Sequence, residues 1–172
     1  MLFRSFEGKG ILTTVNNNKY IGDFANNDMN GYGIYSFNNG SRYEGYVVYG
    51  KKSGKGAFYF GDGSRYEGEF VNDEIEGKGT CYYTNGDKYD GEFKHAMSNG
   101  FGIYYYKSGD TLIGNFVDNI IDSVAVFKTS KGITSRLRYE QDRYALAAQA
   151  NTRNLDSLRS EEHTSELQSP CN

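Results

Sequence analysis

One spacing dominates this chain: tyrosines at Tyr20, Tyr43, Tyr66 and Tyr89, each 23 residues after the last. Two residues after each stands a glycine: Gly22, Gly45, Gly68 and Gly91. A Gly-x-Gly follows in each copy: Gly31 and Gly33, Gly54 and Gly56, Gly77 and Gly79, Gly100 and Gly102. Each copy then closes on one more glycine, Gly40, Gly63, Gly86 or Gly109. A fixed period of this length describes a chain built from one small unit, which cannot bury its own apolar face and must stack on copies of itself.

The third copy shows what the unit is. In Arg65-Tyr66-Glu67-Gly68-Glu69-Phe70, the residues Tyr66, Gly68 and Phe70 share one side and the charged residues share the other. A period of two is a strand with one apolar and one wet face. Val71 to Glu76 reads as a polar connector, Gly77 to Tyr83 as a second strand, and Thr84-Asn85-Gly86-Asp87 as a tight turn. Hairpin then follows hairpin in an antiparallel meander. The expected fold is all-β: an elongated, single-layer twisted antiparallel sheet of repeated β-hairpins, with a C-terminal helix.

The second strands carry Tyr35 and Phe37, Phe58 and Phe60, and Tyr104 and Tyr106 on the side of the Gly-x-Gly glycines, with Cys81 and Tyr83 in the third copy. A mid-strand glycine often marks close approach by another group. The expectation is that large Tyr or Phe rings from one strand lie across the bare glycine backbone of the next and hold a one-layer sheet together. Complete copies run over 20–42, 43–65, 66–88 and 89–111, with an eroded copy at 112–134 and a half copy at 7–19. About eleven strands between residues 7 and 132 would give a sheet about 50 Å long.

Four in-phase copies of Tyr-x-Gly, Gly-x-Gly and a turn glycine resemble the MORN (membrane occupation and recognition nexus) repeat family, over residues 7–134. The resemblance implies an extended β-sheet used as a protein-interaction or scaffolding module. Such modules occur in junctional membrane proteins, lipid kinases, ciliary radial spoke heads and parasite cytoskeletons. It also raises phospholipid binding, which the charge does not favour: residues 1–134 hold 14 Lys+Arg against 16 Asp+Glu. The same balance argues against nucleic acid. The two cysteines, Cys81 and Cys171, show no pairing pattern or zinc spacing, and the N-terminus lacks a signal-like apolar run. The expected setting is cytoplasmic, cytoskeletal or ciliary.

Every glycine lies at or before Gly132. From Ser135 the composition turns to Ala, Leu, Arg, Gln and Glu, which predicts a helix over 135–158 with Ser135 as N-cap and Leu137, Tyr144, Ala148, Leu155 and Leu158 along one stripe. That helix either covers the open end of the last repeat or meets the sheet or a partner. Residues Arg159 to Gln168 match the in-frame translation of a widely used sequencing-adapter oligonucleotide, so 159–172 reads as an artefact and is expected to be disordered. This leaves open a natural chain that continues past Leu158.

Catalytic patterns are not found. His95 is the only histidine outside the tail and falls in a polar connector, and no Ser or Cys has a candidate base. The Gly-x-Gly pairs lack the context of a phosphate-binding loop. Asn26-x-Asp28-x-Asn30-Gly31 starts like a calcium loop, but Phe37 stands where its closing glutamate belongs. No metal, cofactor or catalytic residue is expected, and the chain is read as a non-enzymatic module. The candidate contacts are Tyr35, Phe58, Tyr83 and Tyr104, with Tyr66 and Tyr89 beside them, presented to a helix or an extended peptide. Terminal strands offer self-association by edge pairing. The opposite face carries Glu44, Glu67, Glu69, Asp90 and Glu92, with Lys55 and Lys78 on neighbouring strands, and reads as cross-strand charge pairing or a docking face for a basic partner. Two alternatives are a targeting arm for an enzyme of the lipid kinase or lysine methyltransferase type, and a phospholipid-binding module.

Overall fold

A computed structural model describes residues 7–138. Twelve strands form one open antiparallel sheet in which every strand pairs with its neighbours in sequence. They are β1 (Gly8–Thr13), β2 (Lys19–Ala25), β3 (Asp28–Ser36), β4 (Arg42–Val48), β5 (Lys51–Tyr59), β6 (Arg65–Val71), β7 (Glu74–Tyr82), β8 (Lys88–Lys94), β9 (Met97–Tyr105), β10 (Thr111–Val117), β11 (Ile120–Lys128) and β12 (Thr134–Arg138). No helix occurs among the described residues.

The first eleven strands match the repeat reading, and β12 corrects it. Ser135, expected to cap a helix, lies in a strand opposite Phe127, and Leu137 lies opposite Ala125. Both residues are in phase with the repeats, 23 after Leu112 and Gly114. Helix propensity is a weak preference, and the unpaired backbone of β11 offers a ladder of hydrogen bonds that outweighs it. The rest of the expected helix, 139–158, and the adapter-like tail lie outside the described residues.

Two turn types alternate along the ribbon. Within each copy, the connector read as a polar stretch is a two-residue turn with both residues at positive φ: Asn26–Asn27, Tyr49–Gly50, Asn72–Asp73, His95–Ala96 and Asp118–Asn119. That is the type I′ geometry, whose twist suits the flanking strands. Between copies, the glycine that ends each unit closes a wider turn. The Gly86 N–H donates to the Tyr83 carbonyl (3.1 Å), and the Tyr83 N–H donates to the Asp87 carbonyl (3.0 Å). Gly86 sits at φ 94°, the left-handed step that such a turn needs. One long rim of the ribbon therefore carries type I′ turns and the other carries glycine turns.

The two glycines of each Gly-x-Gly have different tasks. The first is a bulge: the register between β6 and β7 slips from Gly68↔Gly79 to Phe70↔Ile75, and Gly77 takes φ 72° inside the slip. The second lies under a ring. A Cβ built on Gly56 would stand 2.6 Å from the ring of Tyr43, and one on Gly45 would stand 2.5 Å from the Tyr43 hydroxyl. The covering ring is therefore the repeat's own tyrosine, which lies along its strand over its own glycine and the paired glycine of the next strand. Tyr20, Tyr66 and Tyr89 cover their glycine pairs in the same way.

These tyrosines form the core. Tyr66 meets Phe70 edge-on at 5.3 Å and the next copy's Phe93 at 5.0 Å; Tyr89 repeats this with Phe93 (5.1 Å) and Phe116 (5.0 Å). The edge-to-face geometry is the one ring quadrupoles favour. Each hydroxyl remains satisfied: Tyr66 donates to the Glu69 carbonyl (3.1 Å) and accepts the Glu69 N–H (3.0 Å). From Tyr43 to Phe116 a continuous column of rings thus stands in for a second layer, which the described residues do not form. Cys81 is fully buried beside the column and is not a free thiol.

Candidate functional site

The face that carries the core column also carries a second row of rings, nearer the glycine-turn rim. Tyr35 and Phe37 lie 4.6 Å apart, Phe37 and Phe58 5.7 Å, and Phe58 and Phe60 4.7 Å. Further along, Tyr83 and Tyr104 lie 5.6 Å apart, Tyr104 and Tyr106 4.8 Å, and Tyr106 and Phe127 6.0 Å. The backbone puts them there because alternate residues of β3, β5, β7 and β9 point to one face.

The six candidate contacts divide on burial. Tyr35, Phe58 and Tyr83 are partly exposed in the outer row. Tyr66 and Tyr89 have no exposed surface, because they lie in the core column over their glycines. Tyr104 is 5% exposed, and its hydroxyl donates to Asp87 Oδ2 (2.8 Å). Burial raises the Tyr83 hydroxyl above its ordinary pKa; burial, then the Asp87 hydrogen bond, does the same for Tyr104. Burial also pushes Tyr89 and Tyr106 up to about 12. At neutral pH these hydroxyls keep their protons, and those of Tyr89 and Tyr104 donate to the Glu92 carbonyl and to Asp87.

The outer face is more than a charge ladder. Lys55 stands opposite Glu69 and Lys78 opposite Glu92 in register. The close ion pairs are Lys9–Asp23 (2.8 Å) across strands, and Arg42–Glu44 (3.1 Å) and Arg65–Glu67 (2.8 Å) along one strand. The aromatic partner of each cation was missed by the sequence reading: Arg42 lies over Tyr59 (4.5 Å), Arg65 over Tyr82 (3.9 Å) and Lys88 over Tyr105 (4.2 Å). A signal existed, since each tyrosine stands 17 residues after its cation. The same face uses carboxylates to close the bulges. Asp23 accepts the Tyr32 N–H (3.0 Å) and Glu69 accepts that of Lys78 (3.3 Å). The Lys9 hydrogen bond, then the Tyr32 N–H, hold the Asp23 carboxyl below its usual range.

A second missed device staples the glycine-turn rim. Two residues before each repeat tyrosine stands Asn18, Ser41, Ser64 or Asp87, and Asp110 keeps the phase. Asn18 accepts the Asn38 N–H (2.9 Å), Asp87 that of Lys107 (2.7 Å) and Asp110 that of Ser130 (2.7 Å). Each bond ties one copy to the next.

The type I′ rim gathers groups that the sequence kept apart. His95 Nδ1 lies 2.8 Å from Glu74 Oε2 and 3.1 Å from Glu76 Oε1, and the His95 N–H donates to Glu76 Oε1 (3.1 Å). These residues are nearly one period apart, so adjacent hairpins bring them to the same edge. They are the group among the described residues whose ligand atoms could converge on a metal, within 4.8 Å of one another, and they sit on a solvated rim. Lys52 Nζ pairs with Asp73 Oδ1 (2.9 Å) on the same edge. Burial works to raise the Asp73 pKa, but hydrogen bonds from Lys52 overcome it and hold the carboxyl below its ordinary value. Between this edge and Phe58, Phe60, Phe70 and Ile75 the ring face dips into a concavity of about 480 Å³.

Comparison with curated proteins finds no match. Among solved structures the chain is similar to the TCP domain of SAS-4 (dCPAP) in complex with a proline-rich motif of Ana2 (dSTIL), from Drosophila melanogaster. The identity is 12%, the alignment covers 79% of this chain and 89% of that one, and the TM-score is 0.39. A similarity this weak speaks neither to fold nor to function. The family model of the MORN repeat matches residues 20–42, 43–65, 66–88 and 89–111, just over half of the chain and with the boundaries of the tyrosine period. With its hairpin units, paired glycines and tyrosine column, the chain belongs to the MORN repeat family.

Proposed function

We propose that this chain is a non-enzymatic interaction or scaffolding module that takes a helix or extended peptide of a partner protein on its ring face. The carrying observation is the outer aromatic row, partly exposed on a sheet that no second layer covers among the described residues. Family membership supports the reading, because repeat arrays offer long continuous surfaces. Tyr and Phe suit such a surface: they bury large area at small conformational cost, and tyrosine keeps a hydrogen-bonding end. Of the six candidates, Tyr35, Phe58 and Tyr83 are the contacts, while Tyr66, Tyr89 and Tyr104 hold the surface in place.

The test is a double variant, Phe58→Ser with Tyr83→Ser, compared with the parent chain by affinity capture from cell extract and identification of the captured proteins. The expected result is loss of a defined set of partners with the circular-dichroism β signal retained. Capture of the same set by both chains would overturn the proposal.

A further inference from the structure

We infer that the concavity beside the His95 rim is a pocket for an arginine side chain of the partner segment; this rests on the ring-face reading above. Its floor is apolar, formed by Phe58, Phe60, Phe70 and Ile75, and its outer wall carries Glu74 and His95. An arginine has that composition in reverse order, with an aliphatic stem, a flat cation that stacks on rings, and a fork that meets carboxylates.

Of the charged groups that line the concavity, Lys52 and Asp73 pair with each other and leave the Glu74 carboxylate beside His95, with Glu76 behind on the same imidazole. Two carboxylates, Glu74 and Glu76, converge on one imidazole nitrogen, which has at most one hydrogen to give. A neutral imidazole leaves the trio at two negative charges, and an imidazolium leaves it at one. Lys52 and Asp73, the other charged pair that lines the concavity, cancel each other. The Glu74 side chain is 60% exposed, so its carboxylate can be reached from the concavity without moving the backbone. A second cation thus completes this edge, and the ring floor distinguishes an arginine from a simple counter-ion. The glutamates sit on β7 and the histidine on the next copy's turn, so the pocket lies between repeats.

The experiment uses the whole chain, labelled with nitrogen-15, and two probes: the peptide acetyl-Gly-Leu-Arg-Leu-Gly-amide, and the same peptide with citrulline, arginine's neutral isostere. The arginine peptide is expected to shift the amides of residues 73–76 and 95–96 saturably, and the citrulline peptide to bind about fivefold more weakly, the worth of an exposed ion pair. Glu74→Gln with Glu76→Gln should reduce arginine-peptide affinity to that of the citrulline peptide and leave citrulline binding unchanged. His95→Asn keeps a residue that tolerates the turn; because it leaves both carboxylates in place, it should bind the arginine peptide at least as well as the parent. Equal affinity of the two peptides would overturn the pocket, even with shifts across the ring face that uphold the face as a peptide surface. Absence of saturable shifts at 73–76 and 95–96 would overturn it too, while the partner-capture result above stands or falls separately.

Discussion

A single atom decides much at positions such as Gly56. Alanine there would place its methyl against the ring of Tyr43, which is itself fixed over Gly45 and cannot withdraw. We predict that Gly56→Ala destabilises the sheet by about 1–3 kcal/mol, the range of overpacking in a tight core. Urea unfolding followed by far-ultraviolet circular dichroism would measure it. Tyr66→Phe removes only the hydroxyl that serves the Glu69 amide and carbonyl, and should cost about 1 kcal/mol. The buried tyrosines also set a limit at alkaline pH. Their folded pKa lies above the ordinary value of 10.0, reaching about 12 for Tyr89 and Tyr106, mainly through burial. The folded state therefore holds protons that the unfolded chain gives up. This stabilisation is complete below pH 10 and is lost as pH rises toward 12. The urea midpoint should fall across that window, and Tyr89→Phe should fall less.

Turns and bulges leave room for improvement where the chain departs from its own repeat. Tyr49 occupies the first left-handed position of a type I′ turn at φ 47° and is mostly exposed. Tyr49→Asn would give Asn-Gly, the pair that geometry favours, and should stabilise the protein by about 0.5–1 kcal/mol. In the eroded copy Ser123 takes φ 63° at the bulge where the other copies have glycine. Ser123→Gly should raise stability by about 1 kcal/mol, because it removes the strain of a side chain in the left-handed region. Thermal melts of both variants would check the sign, and a fall in either would show that the serine or tyrosine makes a contact worth more than the strain.

The sheet as a body is a one-dimensional stack. Each strand contacts the strands next to it in sequence, and copies are joined by the ring column, the rim staples and the backbone ladder. Such a stack tolerates loss of a whole unit. Removal of residues 66–88 joins Arg65 to Tyr89 in phase and should leave a folded sheet about 10 Å shorter, at about 4.8 Å for each of two strands. Small-angle scattering would read the shortening. Removal of 66–76 instead takes one strand and its turn, reverses the direction of all later strands and separates the ring column, so the product should not fold as one sheet.

Much of this was legible in the chain alone. The 23-residue period, the alternation within Arg65–Phe70 and the left-handed glycine at each turn are local facts, because a strand shows its two faces at a spacing of two and a turn needs residues that accept positive φ. Hairpin order, eleven strands and the two faces follow from them. Other features needed neighbours. Only the register set Gly45 opposite Gly56 and so made one tyrosine cover both, leaving the second-strand rings for the outer row. The slip between Gly68 and Phe70 decided that Gly77 bends the strand while Gly79 lies beneath a ring. The backbone of β11 turned Thr134–Arg138 into a strand despite helix-forming residues beyond it. And the stacking of hairpins put His95 beside Glu74 and Glu76, because residues nearly one period apart become neighbours only when two copies share an edge. Local preferences fixed what each unit is; contacts across strands, invisible to any single copy, fixed what each glycine, ring and charge does there.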